Sequence, residues 1–261
     1  MKRKMFSLVL ATLMILSLLC GCGKEADTFT VGFDAEFPPY GYQDENGEYT
    51  GFDLELAEEL CKRLGWELVK KPIDWDAKDQ ELNTGSIDCI WNGFTIQRRE
   101  DLYTWTVPYV DNSQVIVVKA GAGITGTADL AGKNLVVQAD SSALAALTGE
   151  GATDANKALV KSLKELTQVA DYNTAFMMLE SGAVNAIALD VGVADYQLQQ
   201  RQGVAKLDLV LAAEQYGIGF KKGNTELRDT VEKTLMEMVK DGTFTKIAEK
   251  WGLSSAVCLG K

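Results

Sequence analysis

The 261-residue chain is 46% apolar and 24% charged, a globular composition long enough for one or two domains, with no low-complexity tract or internal repeat. Its formal charge of −11 argues against a nucleic-acid partner, because such binding depends on Lys and Arg neutralising phosphates. It contains no histidine, which removes the commonest general base and both the Ser-His and Cys-His nucleophile pairs, and so argues against an ordinary hydrolase.

The first residues read as an export signal. Lys2, Arg3 and Lys4 precede an apolar run from Met5 to Leu19, positive end first. At 15 residues the run falls short of the roughly 20 that a membrane-spanning helix needs. Leu19-Cys20-Gly21-Cys22-Gly23 then resembles a bacterial lipobox, in which a small residue precedes the acylated cysteine. Gly21 suits that place and Leu19 does not. Cys22 is therefore expected to carry the lipid, with residues 1–21 removed as a lipoprotein signal peptide and 22–27 acting as a linker to the anchor. Burial of the acyl chains, at about 0.8 kcal/mol per methylene, would hold the mature chain on the membrane. Loss of Lys2, Arg3 and Lys4 takes the charge from −11 to −14. Three cysteines remain, Cys61, Cys89 and Cys258, an odd count that cannot be wholly paired within the chain. Buried free thiols are the expectation for Cys61 and Cys89, a disulfide between them stays open, and the spacings fit no zinc pattern.

From residue 28 onward strands and helices alternate. Phe29 to Phe33 is a β-prone strand ending at Asp34, followed by a turn-rich stretch with Pro38, Pro39, Gly41, Asn46 and Gly47. Asp53 has the look of an N-cap, with Leu54, Ala57, Leu60, Cys61 and Leu64 at helical spacing and Gly65 at the stop. Trp66 to Lys71 is a second strand, Gln80 to Asn83 belongs to a helix, and Ile87 to Trp91 is a third strand breaking at Asn92-Gly93. The order then repeats. Strands are expected at Val115–Val118, Leu135–Gln138, Thr167–Ala170 and Ala186–Leu189, with a helix opened by Ser141 and others at Thr174–Leu179 and Val191–Gln202. A strand near Leu207–Leu211, another at Tyr216–Phe220 and helices around Leu227–Val239 and Phe244–Trp251 complete the chain. Such alternation implies parallel sheets covered by helices, an α/β fold in two units with a helical tail.

In open α/β sheets, ligands bind beyond the carboxyl ends of the strands. Five such ends carry polar or aromatic residues: Asp34 and Phe37; Trp75; Asn92, Gly93, Thr95 and Arg99; Gln138, Asp140, Ser141 and Ser142; and Asp190. A free amino acid needs an Arg fork and helix-start N–H groups for its carboxylate, an acid for its ammonium, and a lining for its side chain. Each is present in that set.

The segments Val31-Gly32-Phe33-Asp34-Ala35-Glu36-Phe37-Pro38-Pro39-Tyr40, Gly51-Phe52-Asp53-Leu54, Gly85-Ser86-Ile87-Asp88 and Asn92-Gly93-Phe94-Thr95-Ile96, with Arg99 and Pro108-Tyr109 after them, resemble the polar amino-acid-binding proteins that serve ABC importers. That family is bacterial extracellular solute-binding protein family 3, with the type II periplasmic-binding-protein fold. Val137 to Ser142, Gly182 to Asp190 and Asp241-Gly242-Thr243 continue the likeness over nearly all of the mature chain. The resemblance implies two lobes joined by two crossing strands: 28–113 with a return segment 214–261 in lobe 1, and 114–213 in lobe 2. It implies that Arg99, helped by Thr95 and the Ser141–Ser142 region, pairs with the ligand carboxylate. Asp190 holds the ammonium and Gly93 offers backbone contacts. Phe37 and Trp75 sandwich the ligand side chain, and Asp34 meets its polar end, with Asn92 and Gln138 in the same set. It further implies a monomeric, non-enzymatic, cofactor-free protein that passes its cargo to a membrane permease.

Two departures from the family pattern stand out. The segment between Thr95 and Pro108 is a residue short, which makes Arg98 a rival to Arg99; Arg99 is preferred because Glu100-Asp101 follow it. Asp140 stands where glycine is common, and an acid there would repel a ligand carboxylate unless it points away. Rival readings are a dehydratase on the same fold, using Asp34, Glu36 or Asp190 as the acid, and a sensory module. Glutamine, lysine, arginine, histidine and cystine all remain open as ligands.

Overall fold

The alternation of strand and helix resolves into two main sheets that have no strand in common. The computed structural model describes residues 27–261; Cys22, residues 1–21 and most of the 22–27 linker lie outside the described residues. The chain begins with β1 (Thr28–Phe33), then a small hairpin sheet of β2 (Glu36–Phe37), β3 (Gly41–Gln43) and β4 (Tyr49–Thr50). Helix α1 (Phe52–Leu64), β5 (Glu67–Pro72), α2 (Lys78–Thr84), β6 (Cys89–Ile90) and β7 (Thr104–Trp105) follow. The second unit runs β8 (Val110–Lys119), β9 (Asn134–Gln138), α3 (Ser142–Thr148), α4 (Asp154–Ser162), β10 (Glu165–Val169), α5 (Tyr172–Ser181), β11 (Ala186–Asp190) and α6 (Val191–Gln200). The tail holds β12 (Val204–Lys206), β13 (Ala212–Tyr216), β14 (Gly219–Phe220), α7 (Thr225–Lys240) and α8 (Thr243–Lys250).

The first sheet has the order β5-β1-β6-β14-β7 and the second β10-β9-β11-β8-β12, with β13 also paired to β8. β1 is parallel to β5 and β6, and β9 to β10 and β11, as βαβ connections require. The expected lobe boundaries at 113/114 and 213/214 fall inside β8 and β13, which pair with each other from Val110–Tyr216 to Gln114–Ala212.

Helix α1 buries the residues that its spacing picks out, Leu54, Ala57, Leu60 and Cys61, and ends where Gly65 takes φ +70°. These join Phe29, Val31 and Phe33 of β1 and Val231, Leu235, Met238 and Phe244 of the C-terminal helices in one core, which is why the tail returns to the first sheet. Along β8, Val115 and Val117 face that core while Ile116 and Val118 face a second one with Leu135, Val137, Ala186 and Ala188. The alternation is the period of two of a strand covered on both faces, each buried Val, Leu or Ile contributing about 1.5–3 kcal/mol. Cys61 and Cys89 are buried free thiols, and Cys258 is free as well.

The structure corrects three expectations and adds elements. The single strand expected at Tyr216–Phe220 is instead the end of β13, in the second sheet, and β14, in the first. Asp53 is not an N-cap: the cap position is Gly51, at φ 136°. A Cβ on Gly51 would lie 2.2 Å from the Tyr40 carbonyl oxygen, so no side-chain cap could sit there. Leu207–Leu211 is not a strand. β12 and β13 both pair with β8, opposite residues 117–119 and 110–114, and the five residues between them span only two on β8. They must bow outward, leaving Val210 exposed, while Leu207 N–H and Leu211 N–H still donate to the Ile116 and Gln114 carbonyls at 2.8 Å. Helix α4, the hairpin sheet and β7 had no counterpart in the sequence reading.

Candidate functional site

At the carboxyl end of β1, Asp34 turns toward the second sheet. Its backbone N–H donates to Asn92 Oδ1 at 2.9 Å, which ties the ends of β1 and β6 together. Its carboxylate accepts from Glu36 N–H at 2.9 Å and from Gln138 Nε2, at the end of β9, at 2.6 Å. Burial pushes Asp34 up to about 6, against the lowering effect of those two donors. The 92–93 turn is pinned from below by Asp53, whose Oδ2 accepts from Gly93 N–H at 2.6 Å and from the Tyr109 hydroxyl at 2.8 Å. Asp53 is fully buried, and desolvation raises it to about 7. With Gly93 N–H committed to Asp53, the backbone contact that residue can offer a ligand is its carbonyl.

Of the two rival arginines, Arg98 is exposed and Arg99 buried. The Arg99 guanidinium lies over the Phe94 ring, 5.2 Å from its centroid, and reaches across to the start of α3. Nη1 donates to Ser142 Oγ at 2.9 Å and Nη2 to the Asp140 carbonyl at 2.9 Å. Ser141 caps α3, its hydroxyl accepting from Leu144 N–H at 3.2 Å. Thr95 is buried beside Arg99, but its hydroxyl donates to Glu214 Oε1 at 2.9 Å.

Asp140 has a left-handed backbone, φ +52°, the conformation that a glycine would adopt most easily. Its carboxylate points away from the Arg99 fork and pairs with Lys78 Nζ. The Lys78 side chain is only 1% exposed, and burial lowers its ammonium below the ordinary range while Asp140 counteracts that shift. The feared repulsion is thus replaced by an ion pair between the first residue of α2 and the loop before α3.

Asp190 closes β11 inside the fold. Its Oδ1 accepts from Asn112 Nδ2 at 2.8 Å, Gln114 Nε2 at 2.7 Å and the Tyr216 hydroxyl at 2.6 Å. Burial first, and then the neighbouring Glu214 charge, raise it to about 7. Phe37 and Trp75 stand in separate aromatic clusters: Phe37 packs against Tyr40 and Tyr172 with centroids 5.8 and 6.0 Å away, and Trp75 stands edge-on to Phe94 at 5.4 Å. Asp34 and Trp75 share the wall of an open cavity of about 380 Å³ with Glu36, Asp74, Glu81 and Asp171. Phe37 is not on that wall.

The sequence reading missed Lys78, Asn112, Gln114, Glu214 and Tyr216. The polar pair Asn112 and Gln114, two apart and so on one face of the strand that continues into the apolar run Val115–Val118, was the available signal.

Residues 29–254 match the family described as bacterial extracellular solute-binding proteins, family 3. The L-cystine-binding protein TcyJ of Escherichia coli (strain K12) is 31% identical over 234 residues, covering 87% of this chain and 84% of that protein. A histidine-bound substrate-binding protein of an ABC uptake transporter from Streptococcus pneumoniae superposes with a TM-score of 0.80 at 32% identity, over 86% of this chain and 92% of that one. AncCDT-1, an ancestral amino acid-binding protein and precursor of cyclohexadienyl dehydratase, gives a TM-score of 0.76 at 31% identity, over 86% and 95% of the two chains. With a two-lobe type II architecture and a match running from β1 to just beyond α8, this chain belongs to family 3 of the bacterial extracellular solute-binding proteins.

Proposed function

We infer that the protein captures a polar amino acid outside the cytoplasmic membrane and presents it to the permease of an ABC importer, held at the membrane by a lipid on Cys22. One observation carries the reading. A buried arginine fork from the first unit faces the start of α3, and a buried carboxylate, Asp190, lies on the second unit. A free amino acid has the matching carboxylate and ammonium. In this reading 28–113 and 214–261 form one lobe and 114–213 the other. Arg99, Thr95, Ser141 and Ser142 serve the carboxylate, Asp190 the ammonium, and the Gly93 carbonyl completes the backbone contacts. Trp75 lines the side-chain end, where Asp34, oriented by Asn92 and Gln138, receives the polar tip, and Phe37, off that wall, covers the ligand from the Gly93 side.

The acids around Trp75 favour a side chain that ends in a cation lying on the indole face. A thermal-shift screen with arginine, lysine, histidine, glutamine and cystine tests this directly, since a ligand at 100 times its Kd stabilises the folded state by about 2.7 kcal/mol. Arginine and lysine are expected to raise the melting temperature most. No shift with any of the five would reject amino-acid capture, and an intact unmodified Cys22 in the mass spectrum of the exported protein would reject the anchor.

A further inference from the structure

Glu214 is buried at the hinge between the sheets and has no part in the site as the family pattern describes it. The register of the strands puts it on the ligand face. Gln114 of β8 is opposite Asp190 of β11, and Asn112 is opposite Glu214 of β13. Opposed residues of antiparallel strands share a face, as do residues two apart. Asn112, Gln114, Asp190 and Glu214 therefore project on one side, with Tyr216 beside them.

The two acids are held by the same donors. Asn112 Nδ2 donates at 2.8 Å to both Asp190 Oδ1 and Glu214 Oε1, and Gln114 Nε2 donates to them at 2.7 and 2.6 Å. Each amide has two hydrogens, so both are fully used in keeping the carboxylates side by side. Among the described residues no ion pair includes either acid. Glu214 Oε2, Asn112 Oδ1 and Gln114 Oε1 are buried acceptors without a donor. Two buried carboxylates without a cation are unfavourable, and so is each unmatched acceptor. The group that resolves both is a cation with several N–H donors. Thr95, placed at the carboxylate end of the ligand, is already one hydrogen bond from Glu214 Oε1.

We propose that Glu214 is a second carboxylate of the ligand site, joining Asp190 in holding the ammonium of the captured amino acid. The proposal rests on the amino-acid reading of the cleft. Binding then displaces the proton that Asp190, raised to about 7, retains near neutrality. The other titratable groups facing the pair, Tyr40, Tyr172 and Tyr216, are pushed far up by burial and stay neutral over this range.

Glu214→Gln keeps the shape and an acceptor for Thr95 but removes the charge. Calorimetry would compare parent and variant with L-arginine, L-histidine, L-glutamine and L-cystine, each beside its counterpart lacking the α-amino group (guanidinovalerate for arginine). Loss of a charged hydrogen bond predicts binding weakened about 10- to 100-fold for the amino acid and little changed for the counterpart. Proton release on binding near pH 7, measured in two buffers of different ionisation enthalpy, should also fall in the variant. Equal weakening of both ligand classes would make Glu214 a hinge brace only and overturn the proposal, as would unchanged affinity. Should Glu214→Gln fail to fold, Glu214→Asp withdraws the same charge by one methylene. It should lose part of the selectivity for the amino acid, and a parental selectivity would count equally against the idea. If the parent binds none of the four, the capture reading itself fails; if the parent binds and selectivity is untouched, only the role of Glu214 does.

Discussion

Replacing Asp140 with glycine separates two opposed expectations by the sign of the effect. If the acid repels the ligand carboxylate, its removal strengthens binding. If it serves as the partner of Lys78 across the cleft, removal weakens binding. The structure favours the second outcome, and its size can be worked through. Relief of the left-handed backbone at φ +52° gains about 1 kcal/mol. The added freedom of glycine in the unfolded chain costs about 0.4–1 kcal/mol. These nearly cancel. Breaking a fully buried ion pair costs about 3–5 kcal/mol, and exposed pairs are worth less than about 1 kcal/mol. Here the Lys78 side chain is 1% exposed and that of Asp140 52%, so an intermediate loss is expected. A figure of about 2 kcal/mol corresponds to binding weakened about 30-fold. In the two-lobe reading that loss falls on closure, because Lys78 would regain water once α2 and the 140 loop separate. Calorimetry on Asp140→Gly should show the weaker binding with no fall in the melting temperature of the ligand-free protein. Adding Lys78→Met, which removes the stranded ammonium, should recover most of the affinity. Parental or tighter binding by Asp140→Gly would refute the reasoning, as would a double variant no better than the single one.

Arg99→Ala should weaken amino-acid binding by roughly 2–5 kcal/mol, because a desolvated carboxylate loses its fork; calorimetry would show it, and Arg99→Lys should recover only part, since it lacks the two-pronged geometry. Asp34, Asp53 and Asp190 are raised to about 6, 7 and 7, so the folded state binds their protons more tightly than the unfolded chain. Their stabilisation is complete below about pH 4 and is lost as pH rises through 6 and 7, whereas Glu59, Glu81 and Asp241, held low, titrate below that window. The ligand-free melting temperature should therefore fall between about pH 4 and 7 in scanning calorimetry, and Asp53→Asn should flatten the fall, to which Asp53 contributes at most roughly 4 kcal/mol; a rising profile would contradict this. Gly93→Ala places a Cβ 2.9 Å from Phe37 Cε1 and 3.0 Å from Tyr216 Cε2 at φ +56°, and should lower the denaturant midpoint by an amount worth about 2–4 kcal/mol.

The parts legible in the sequence are those that local pattern encodes. Helical spacing located α1, and Ser141 announced α3 because an N-cap acts within three residues. The polar strand ends stand out in the sequence because residues at the carboxyl ends of parallel strands are free to be polar, and the structure brings Asp34 to Gln138 and Arg99 to Ser142. The failures share a different cause. Helix α4 is only nine residues long, with Asn156 and Leu159 its buried residues, too short for its spacing to stand out from the loops around it, although Thr153 caps Asn156 N–H. The run from Leu207 to Leu211 alternates like a strand, and only the competition of β12 and β13 for one edge of β8 forces it out. Asp53 has the residue type of a cap, and its true partners, Gly93 and Tyr109, lie 40 and 56 residues away. Glu214 depends on strand register in the same way, with partners about 100 residues distant.

Asp140 shows how a residue that looked wrong in sequence resolves in three dimensions. Its left-handed backbone sends the carbonyl and the carboxylate to different neighbours. The carbonyl accepts from Arg99 Nη2, and the carboxylate takes Lys78. In the proposed reading, a ligand carboxylate entering the fork would replace the Arg99 bonds to the Asp140 carbonyl and Ser142 Oγ. The Lys78 contact lies on a different atom of the same residue and need not break. On that reading the site would exchange its protein partners for ligand at one point while the Lys78–Asp140 pair stays made at the next. A glycine at 140 would supply the same backbone turn and the same carbonyl but no latch. The acid thus adds a closing contact to a loop whose geometry glycine alone would satisfy.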